Sequence, residues 1–207
     1  MIINFINDNL SIFDDGMNVL NAGSGGAIYE NVSGIVYHLD ISDKFIRSLP
    51  NHVVASIEEM PFNNGLFKAV ICVGSVINYC NALNALSEIS RVMDNNSFLI
   101  LEYERSSTGE LIFSKDYNKA CTIQVYSYNK QSNHRLWLYS DKYIDSVLKS
   151  LGLEIIKNNY YHTFSSICNR IIKKETLAGK LSKWDVIAFP IVKKLIAHNR
   201  IMLCYKQ

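Results

Sequence analysis

The sequence lacks most of the features that mark secreted, membrane-spanning or metal-binding proteins. Its five cysteines are scattered and include no CxxC pair, which argues against a zinc site and against a disulfide framework. No run of about 18 apolar residues is present, so no membrane span is expected. The first 16 residues carry acidic side chains and no basic segment, which is untypical of a secretory signal. A reducing, cytoplasmic compartment is the simplest expectation.

An excess of charge of one sign is also missing. The 21 lysines and arginines nearly balance the 19 aspartates and glutamates, the net charge is +2, and no basic block stands out. We therefore predict no nucleic-acid partner. The five histidines form no HxH or HxxxH pair, so no metal site is predicted. The absence of a GxSxG turn removes support for a hydrolase triad.

What the sequence does have is the composition of one folded domain. The chain has 207 residues, of which 48% are hydrophobic and 19% are charged. These values are ordinary for a globular protein that can bury a substantial core. No internal repeat or linker divides the chain, so we predict a single domain over residues 1–207 and leave its oligomeric state open.

Short apolar runs bounded by turn residues recur through the first half of the chain. Such runs are typical of strands buried on both faces of a parallel sheet, and their alternation with helices is typical of α/β folds. The residues Asp94–Asn96 are predicted to end a helix, because asparagine tolerates left-handed backbone. Strands are predicted at Met17–Ala22, Ile35–Leu39, Val53–Ile57, Lys68–Val73 and Ser97–Tyr103, with helices at Asp43–Ser48 and Ala82–Met93.

The second half of the chain has a different pattern. Two tyrosine-rich runs flank the polar segment NKQSNH, which predicts a β-hairpin whose aromatic side chains either pair across the strands or contact a ligand. The apolar stretch Trp184–His198 is assigned to packed helices rather than to a membrane surface, because Pro190 and two lysines interrupt it. The predicted elements are hairpin strands at Thr122–Tyr126 and Arg135–Tyr139, a helix at Ser140–Leu151 capped by Ser140, a strand at Leu153–Ile156, helical structure over Thr163–His198, and a last strand at Ile201–Tyr205.

A glycine-rich turn follows the first predicted strand, and an acidic residue ends the second. Gly23, Gly25 and Gly26 follow the strand VLNA, and Asp40 follows Ile35–Leu39. In open α/β sheets a ligand binds beyond the carboxyl ends of the strands, where glycine lets it approach the backbone. The order strand, glycine turn, helix, strand and acid therefore predicts a nucleoside site with Asp40 on the ribose. The alternative is a simple tight turn, with Asp40 as a helix cap.

Two common nucleotide sites are disfavoured by the same segment. The dinucleotide pattern GxGxxG would need a glycine where Ile28 stands, and the segment up to Asp40 is short, which argues against NAD and FAD. No GKS or GKT follows the glycines, which excludes a phosphate-binding P-loop.

Four segments, in order, resemble the motifs of the class I S-adenosylmethionine-dependent methyltransferases. VLNAGSGG is similar to their first motif, a strand that runs into a glycine loop, and HLDIS is similar to their second. ASIEEMPFNNGLFKAVICVGSVINY resembles the third and fourth motifs, and SEISRVMDNNSFLILEYE resembles the helix and strand that follow. The resemblance covers Asn18–Tyr103, and Leu136–Tyr160 also fits the later helix and sixth strand of the family.

The resemblance implies a fold and an activity. The implied fold is α/β, a Rossmann-like three-layer sandwich with a mostly parallel seven-stranded sheet whose last strand is antiparallel. An inserted β-hairpin and a C-terminal helical insertion complete it, so residues 1–105 would form the cofactor-binding half and residues 106–200 the substrate side. The implied activity is methyl transfer from S-adenosyl-L-methionine to a small-molecule acceptor.

The resemblance also implies contacts between individual residues and the cofactor. Asn21 stands where an acid often orients the loop, and Asp40 would accept the ribose hydroxyls. Gly23 and Gly25 would let the backbone approach the methionine part. The implied cofactor-binding set is Asn21, Ala22, Gly23, Ser24 and Gly25 in the first loop, Asp40 and Ile41 at the ribose and adenine, Ser56 and Ile57 at the adenine, and Val73 and Gly74 beside the sulfonium.

Several positions depart from the family pattern. Asn21 and Ser56 replace acids, and Ala27 replaces the third glycine. The segment before the first strand has only about 16 residues, so the usual cap over the cofactor is expected to be small or absent. These departures motivate a rival hypothesis, a catalytically inactive relative that acts as a binding module or partner subunit.

The methyl acceptor is expected beyond the fourth and fifth strands. Methyl transfer needs a base only when the acceptor must lose a proton, and the candidate catalytic residues are Tyr79 and Glu104. Arg105 would clamp a carboxylate or phosphate through its two parallel donors. The alternative assigns Glu104 and Arg105 to a local ion pair and Tyr79 to the core. The candidate substrate-binding residues are Asn78, Tyr79, Glu104, Arg105 and, in the hairpin loop, His134.

Overall fold

A computed structural model describes the backbone of residues 1–128, 132–163 and 190–207, and the side chains of residues 1–125, 135–163 and 191–207. It contains a seven-stranded sheet and a separate two-stranded hairpin. The strands are β1 (Asn18–Ala22), β2 (Ile35–Asp40), β3 (His52–Val54), β4 (Phe67–Cys72), β5 (Met93–Glu104), β6 (Cys121–Tyr128), β7 (Ser132–Tyr139), β8 (Leu153–Tyr161) and β9 (Asn199–Lys206).

The large sheet has the strand order β3-β2-β1-β4-β5-β9-β8. Strand β9 runs antiparallel to β5 and β8, and the other pairs are parallel. The predicted fold class, α/β with a mostly parallel seven-stranded sheet and an antiparallel last strand, is confirmed.

Short helices connect the strands. Asn81 caps α3 by accepting the N–H groups of Leu83 and Asn84, and Ser140 caps α4 by accepting that of Tyr143, as its sequence position predicts. No helix in the described ranges is long and apolar enough to cross a membrane. The helices are α1 (Ile2–Asn7), α2 (Asp43–Ile46), α3 (Ala82–Val92), α4 (Asp141–Ser150) and α5 (Pro190–Ile196), with 3-10 turns at Leu10–Ile12 and Val76–Tyr79.

Two cores cover the two faces of the sheet. On β4, Val70 and Cys72 point into the core formed with α3 and α4, whereas Ala69 and Ile71 point into the core formed with α1. All four side chains are buried, which explains why the predicted strands are continuous apolar runs without alternation. The polar side chains that could form a site are therefore expected at the edge where the parallel strands end.

The helix expected between the glycine turn and β2 is absent. Residues 23–34 form turns, and the N–H of Ala27 bonds to the carbonyl of Ser24 at 2.8 Å. Gly25, Gly26 and Gly34 all have positive φ, which a helix cannot accommodate. The prediction of a helix start at this loop was wrong, so helix-terminal N–H groups contribute nothing here.

Other predicted boundaries shift by a few residues. Strand β3 ends at Val54 rather than Ile57, and α5 ends at Ile196 rather than His198. Strand β5 begins directly at Met93, although Asn96 does adopt the left-handed backbone expected there, with φ 55°. Residues 164–189 of the predicted helical stretch lie outside the described residues, and so do the first six residues of Trp184–His198.

Candidate functional site

The loop after β1 is held by hydrogen bonds from Asn21. Its Nδ2 donates to Oγ of Ser24 at 3.2 Å and to the carbonyl of Ala27 at 2.9 Å. Oγ of Ser24 lies 3.2 Å from Nδ1 of His38, and burial lowers the pKa of His38, which favours a neutral ring as acceptor. The amide of Asn21 thus orients the loop where the family pattern has an acid.

The three loop glycines serve different purposes. A Cβ added at Gly23 would overlap the side chain of Val76, and one at Gly26 would lie 2.8 Å from the carbonyl of Phe45. Only Gly25, with φ 53°, has open space where its side chain would be. Gly25 therefore leaves open space beside its backbone, and the expected contact between the backbone of Gly23 and the cofactor stays a prediction.

The carboxylate of Asp40 connects the ends of β1 and β2. Its Oδ2 accepts the N–H of Gly25 at 2.7 Å, and its Oδ1 accepts the N–H of Ser42 at 2.8 Å. Ser42 is the N-cap residue of α2, so the helix-cap alternative describes part of what Asp40 does. The contact with Gly25 is the other part, and it fixes the acid against the open backbone of the glycine loop.

The residues predicted beside the adenine flank Asp40. Ile41 is 78% exposed and presents apolar surface to solvent, whereas Ile57 is buried. Oγ of Ser56 accepts the N–H of Glu58 at 3.1 Å, so this hydroxyl stabilises a local turn. The N–H of Ala55 bonds to the carbonyl of Asp40 at 3.1 Å, which keeps this segment next to the end of β2.

The backbone beyond β4 is anchored by Glu102, a residue that the sequence analysis did not single out. Its Oε2 accepts the N–H groups of Gly74 and Ser75 at 2.8 and 2.7 Å. Its Oε1 accepts Nδ2 of Asn199 at 2.6 Å. Burial and the charge of Glu102 raise the pKa of Tyr161 far above its ordinary value, which keeps that hydroxyl protonated. Val73 and Gly74 are therefore held in place, and a Cβ at Gly74 would meet open space.

Glu104 pairs with His198 at the same edge. Oε2 of Glu104 lies 3.1 Å from Nε2 of His198, whose Nδ1 lies 3.1 Å from Oγ1 of Thr108. Burial alone would raise the pKa of Glu104 and lower that of His198. The hydrogen bond and the attraction between the two groups outweigh burial, so the pKa of Glu104 is lowered and that of His198 is raised.

Replacing Glu104 by glutamine is expected to destabilise the protein more at about pH 5.5 than at about pH 8.5. The raised pKa of His198 gives stability that is fully present below its ordinary value of 6.5 and is lost as the pH rises through the folded-state pKa. The lowered pKa of Glu104 gives stability that is present above its ordinary value of 4.5 and is lost as the pH falls through the folded-state pKa. Urea unfolding of both proteins measures the effect, and an equal loss at both pH values would contradict it.

Two predicted substrate contacts prove to be structural. Asn78 is fully buried; its Nδ2 donates to the carbonyls of Glu104 and Trp137, and its Oδ1 accepts the N–H of Glu104. Arg105 is 1% exposed and is engaged by Asp141 and by main-chain carbonyls. Neither side chain is available to a ligand, because its polar atoms already have partners inside the fold.

The structure has different consequences for the remaining candidates, Tyr79, Glu104 and His134. Tyr79 ends the 3-10 turn and is 64% exposed, so its assignment to the core was wrong and it stays a candidate. The local ion pair between Glu104 and Arg105 was also wrong, because each bonds to a residue distant in the chain. His134 pairs with Tyr126 within the hairpin, not in a loop, and its side chain lies outside the described residues.

Comparison with protein families gives a match over the first half of the chain. Residues 20–101 match the family described as Methyltransferase domain. An uncharacterized protein of Methanocaldococcus jannaschii is 32% identical over 91 residues. This matched segment spans 42% of the present chain and 36% of that protein.

Solved structures share the fold over almost the whole chain. The 1,6-didemethyltoxoflavin-N1-methyltransferase of Burkholderia thailandensis, solved with 1,6-didemethyltoxoflavin and S-adenosylhomocysteine, has a TM-score of 0.56 at 10% identity and covers 100% of this chain and 76% of its own. The cyclase SpnF has a TM-score of 0.60 at 13% identity and covers 98% of this chain and 81% of its own. At these identities the likeness concerns the fold alone.

Proposed function

We propose that this chain, which carries a methyltransferase family domain over residues 20–101 within the Rossmann-like fold of class I methyltransferases, transfers a methyl group from S-adenosylmethionine to a small-molecule acceptor. The observation that carries the proposal is the position of Asp40. Its carboxylate, at the end of β2, is fixed against the open backbone of Gly25 at the end of β1. A nucleoside binds at this place in open α/β sheets.

The residues at this edge fit an adenosyl group. Each oxygen of Asp40 accepts one N–H and keeps a second acceptor site for a ribose hydroxyl. Ile41 offers exposed apolar surface to the adenine. Gly25 and Gly74 leave open space beside their backbone, which is what close approach of a ligand requires.

The chemistry divides between the cofactor and the chain. When bound, S-adenosylmethionine supplies a methyl group activated by a sulfonium, so the chain needs only to align the acceptor and control its proton. Glu102 holds the Gly74–Ser75 backbone rigid, and the lowered pKa of Glu104 keeps a carboxylate at the acceptor side. Tyr79 and Glu104 therefore remain the candidates for contact with the acceptor.

The proposed setting is the cytoplasm. The cysteines within the described ranges, Cys72, Cys80, Cys121 and Cys204, are all free. Free thiols are typical of a reducing compartment.

The second candidate function is a binding module that has lost turnover. The cyclase SpnF has the same fold, so the fold does not decide between methyl transfer and another function. Asn21 and Ser56 replace acids of the family pattern, which removes charged partners from the cofactor side. Because Asn21 still orients the loop through two hydrogen bonds, the structure favours the enzyme.

Calorimetry with S-adenosylhomocysteine tests the proposed function. We expect a dissociation constant of about 1–100 μM, because the cradle is already formed in the ligand-free chain. NADH, which shares the adenosine but needs a longer phosphate cradle, is the control and is expected not to bind. If no heat of binding is detected with S-adenosylhomocysteine at millimolar concentration, the result would favour the non-catalytic alternative.

A further inference from the structure

His162, directly after β8, combines an exposed imidazole with an unfavourable backbone. Its φ is 58°, in the left-handed region that few non-glycine residues adopt, and its side chain is exposed. Its carbonyl accepts the N–H of His198 at 3.2 Å. Ser75, with φ 60°, is a second such residue at the same edge of the sheet. Backbone strain of this kind clusters at functional sites, where surrounding contacts impose it.

A chain of hydrogen bonds determines which ring nitrogen of His162 carries the proton. Glu102 accepts the N–H groups of Gly74 and Ser75 on Oε2 and accepts Nδ2 of Asn199 on Oε1. Asn199 therefore turns its Oδ1 towards Nδ1 of His162, 3.0 Å away. Because that amide oxygen only accepts, Nδ1 of His162 must donate, and Nε2 of the neutral ring keeps a lone pair.

This lone pair lies at the edge where the methyl acceptor is expected. In the sheet register, Asn199 pairs with Glu104 on β5 and with Tyr161 on β8. The ring of Tyr161 packs edge-on against that of His162 at 4.7 Å, which limits its motion. The hydrogen-bond chain joins His162 to Gly74, the residue predicted beside the sulfonium.

We propose that Nε2 of His162 is the base that removes the proton from a hydroxyl acceptor, an inference that rests on the proposed methyl transfer. The acceptor oxygen forms the bond to the methyl carbon, the electrons of the carbon–sulfur bond remain on sulfur, and the hydroxyl proton passes to Nε2. The exposed imidazolium then releases that proton to solvent. A hydroxyl acceptor needs such a base because its oxygen must lose a proton as the new bond forms. Glu104 is engaged by His198, which leaves His162 as the better placed of the two.

Replacing His162 by glycine tests the assignment with little risk to the fold, because glycine adopts a φ of 58° without strain. Formation of S-adenosylhomocysteine from S-adenosylmethionine is measured with phenol and catechol as probe acceptors. The variant is expected to lose about 100-fold or more in kcat and to keep its affinity for S-adenosylhomocysteine. Added imidazole is expected to restore turnover, since it can occupy the space of the missing ring and accept the proton.

His52→Ala is the matched control. His52 is also exposed, and its Nδ1 also has an oxygen partner, the carbonyl of Leu49 at 2.8 Å, but it lies on β3, the edge strand on the opposite side of the sheet from β8. Its loss is expected to leave turnover unchanged. Full activity of His162→Gly, or a loss that imidazole does not restore, would overturn the proposal. Methylation of thiophenol or aniline without methylation of either hydroxyl probe would overturn it as well.

A second measurement needs no turnover. Long-range proton–nitrogen correlation spectra of the ligand-free protein distinguish the two neutral tautomers of an imidazole, and we expect the proton of His162 on Nδ1. A proton on Nε2 would remove the lone pair and overturn the proposal even if S-adenosylhomocysteine binds. Failure of S-adenosylhomocysteine to bind a protein with the expected tautomer would instead count against methyl transfer itself.

Discussion

Replacing Asp40 by alanine is expected to weaken the binding of S-adenosylhomocysteine by about 100-fold or more, because two hydrogen bonds to a charged group contribute about 1.5–3 kcal/mol each and 1.4 kcal/mol corresponds to tenfold. The substitution removes the proposed acceptor for the ribose hydroxyls. It also releases the N–H of Gly25, which Asp40 holds at 2.7 Å, so the glycine loop loses its fixed position. Calorimetry at constant salt measures the change in affinity.

Asp43→Ala is the matched control for this experiment. Asp43 lies three residues further along, is exposed, and begins α2, so its loss removes the same charge without touching the loop. Its effect on affinity is expected to stay within about twofold, as surface charges contribute little. Unchanged affinity of Asp40→Ala, in a protein that binds S-adenosylhomocysteine before the substitution, would show that Asp40 does not contact the ribose.

The sheet could be predicted because its information is local. Each central strand is a short apolar run bounded by turn residues, and burial on both faces requires that pattern whatever the rest of the chain does. The positions of Gly25 and Asp40 follow directly, since a glycine after one strand and an acid after the next meet at the carboxyl edge of a parallel sheet. The resemblance to a family then added the identity of the ligand.

The contacts at the acceptor side could not be predicted, because their partners are distant in the chain. Glu102 and Glu104 alternate with apolar residues in SFLILEYE, and nothing in that segment indicates that Asn199 and His198 will face them. Asn199 begins β9 and His198 directly precedes it, and both reach the same edge only because β9 is antiparallel to β5. His162 joins them for the same topological reason, at the end of β8.

The absence of the first crossover helix has a separate cause. The alternation of strands and helices and the family pattern both favour a helix after the glycine turn, but the segment from Gly23 to Gly34 has to connect two adjacent parallel strands in 12 residues. Gly25 and Gly26 have positive φ and form turns, so fewer of these residues are available for a helix. Loop anchoring therefore falls to the side chains of Asn21 and Asp40 in place of helix-terminal N–H groups.

Replacing Arg105 by methionine is expected to lower the free energy of unfolding by about 3–5 kcal/mol, because it removes the two-pronged partner of a largely buried carboxylate and leaves buried main-chain carbonyls without a donor. Nε and Nη2 of Arg105 donate to the two oxygens of Asp141 at 2.8 and 2.9 Å. Nη1 and Nη2 also donate to the carbonyls of Ala197 and Lys194 at 2.7 Å, where α5 ends. One guanidinium thus joins the start of α4 to the end of α5, and urea unfolding with an unchanged slope measures its contribution.

Two further variants separate geometry from charge at this position. Arg105→Lys keeps the charge but lacks the planar set of donors. We therefore expect it to lower the free energy of unfolding almost as much as Arg105→Met does. Lys119→Met breaks an exposed pair, in which Nζ of Lys119 lies 2.7 Å from Asp116 and the lysine side chain is 50% exposed. Such a pair contributes at most about 1 kcal/mol. If Arg105→Met costs no more than Lys119→Met, the buried pair does not hold the two helices together. The segment that presents His198 to Glu104 would then be held by its backbone hydrogen bonds and by the contact of His198 with Thr108.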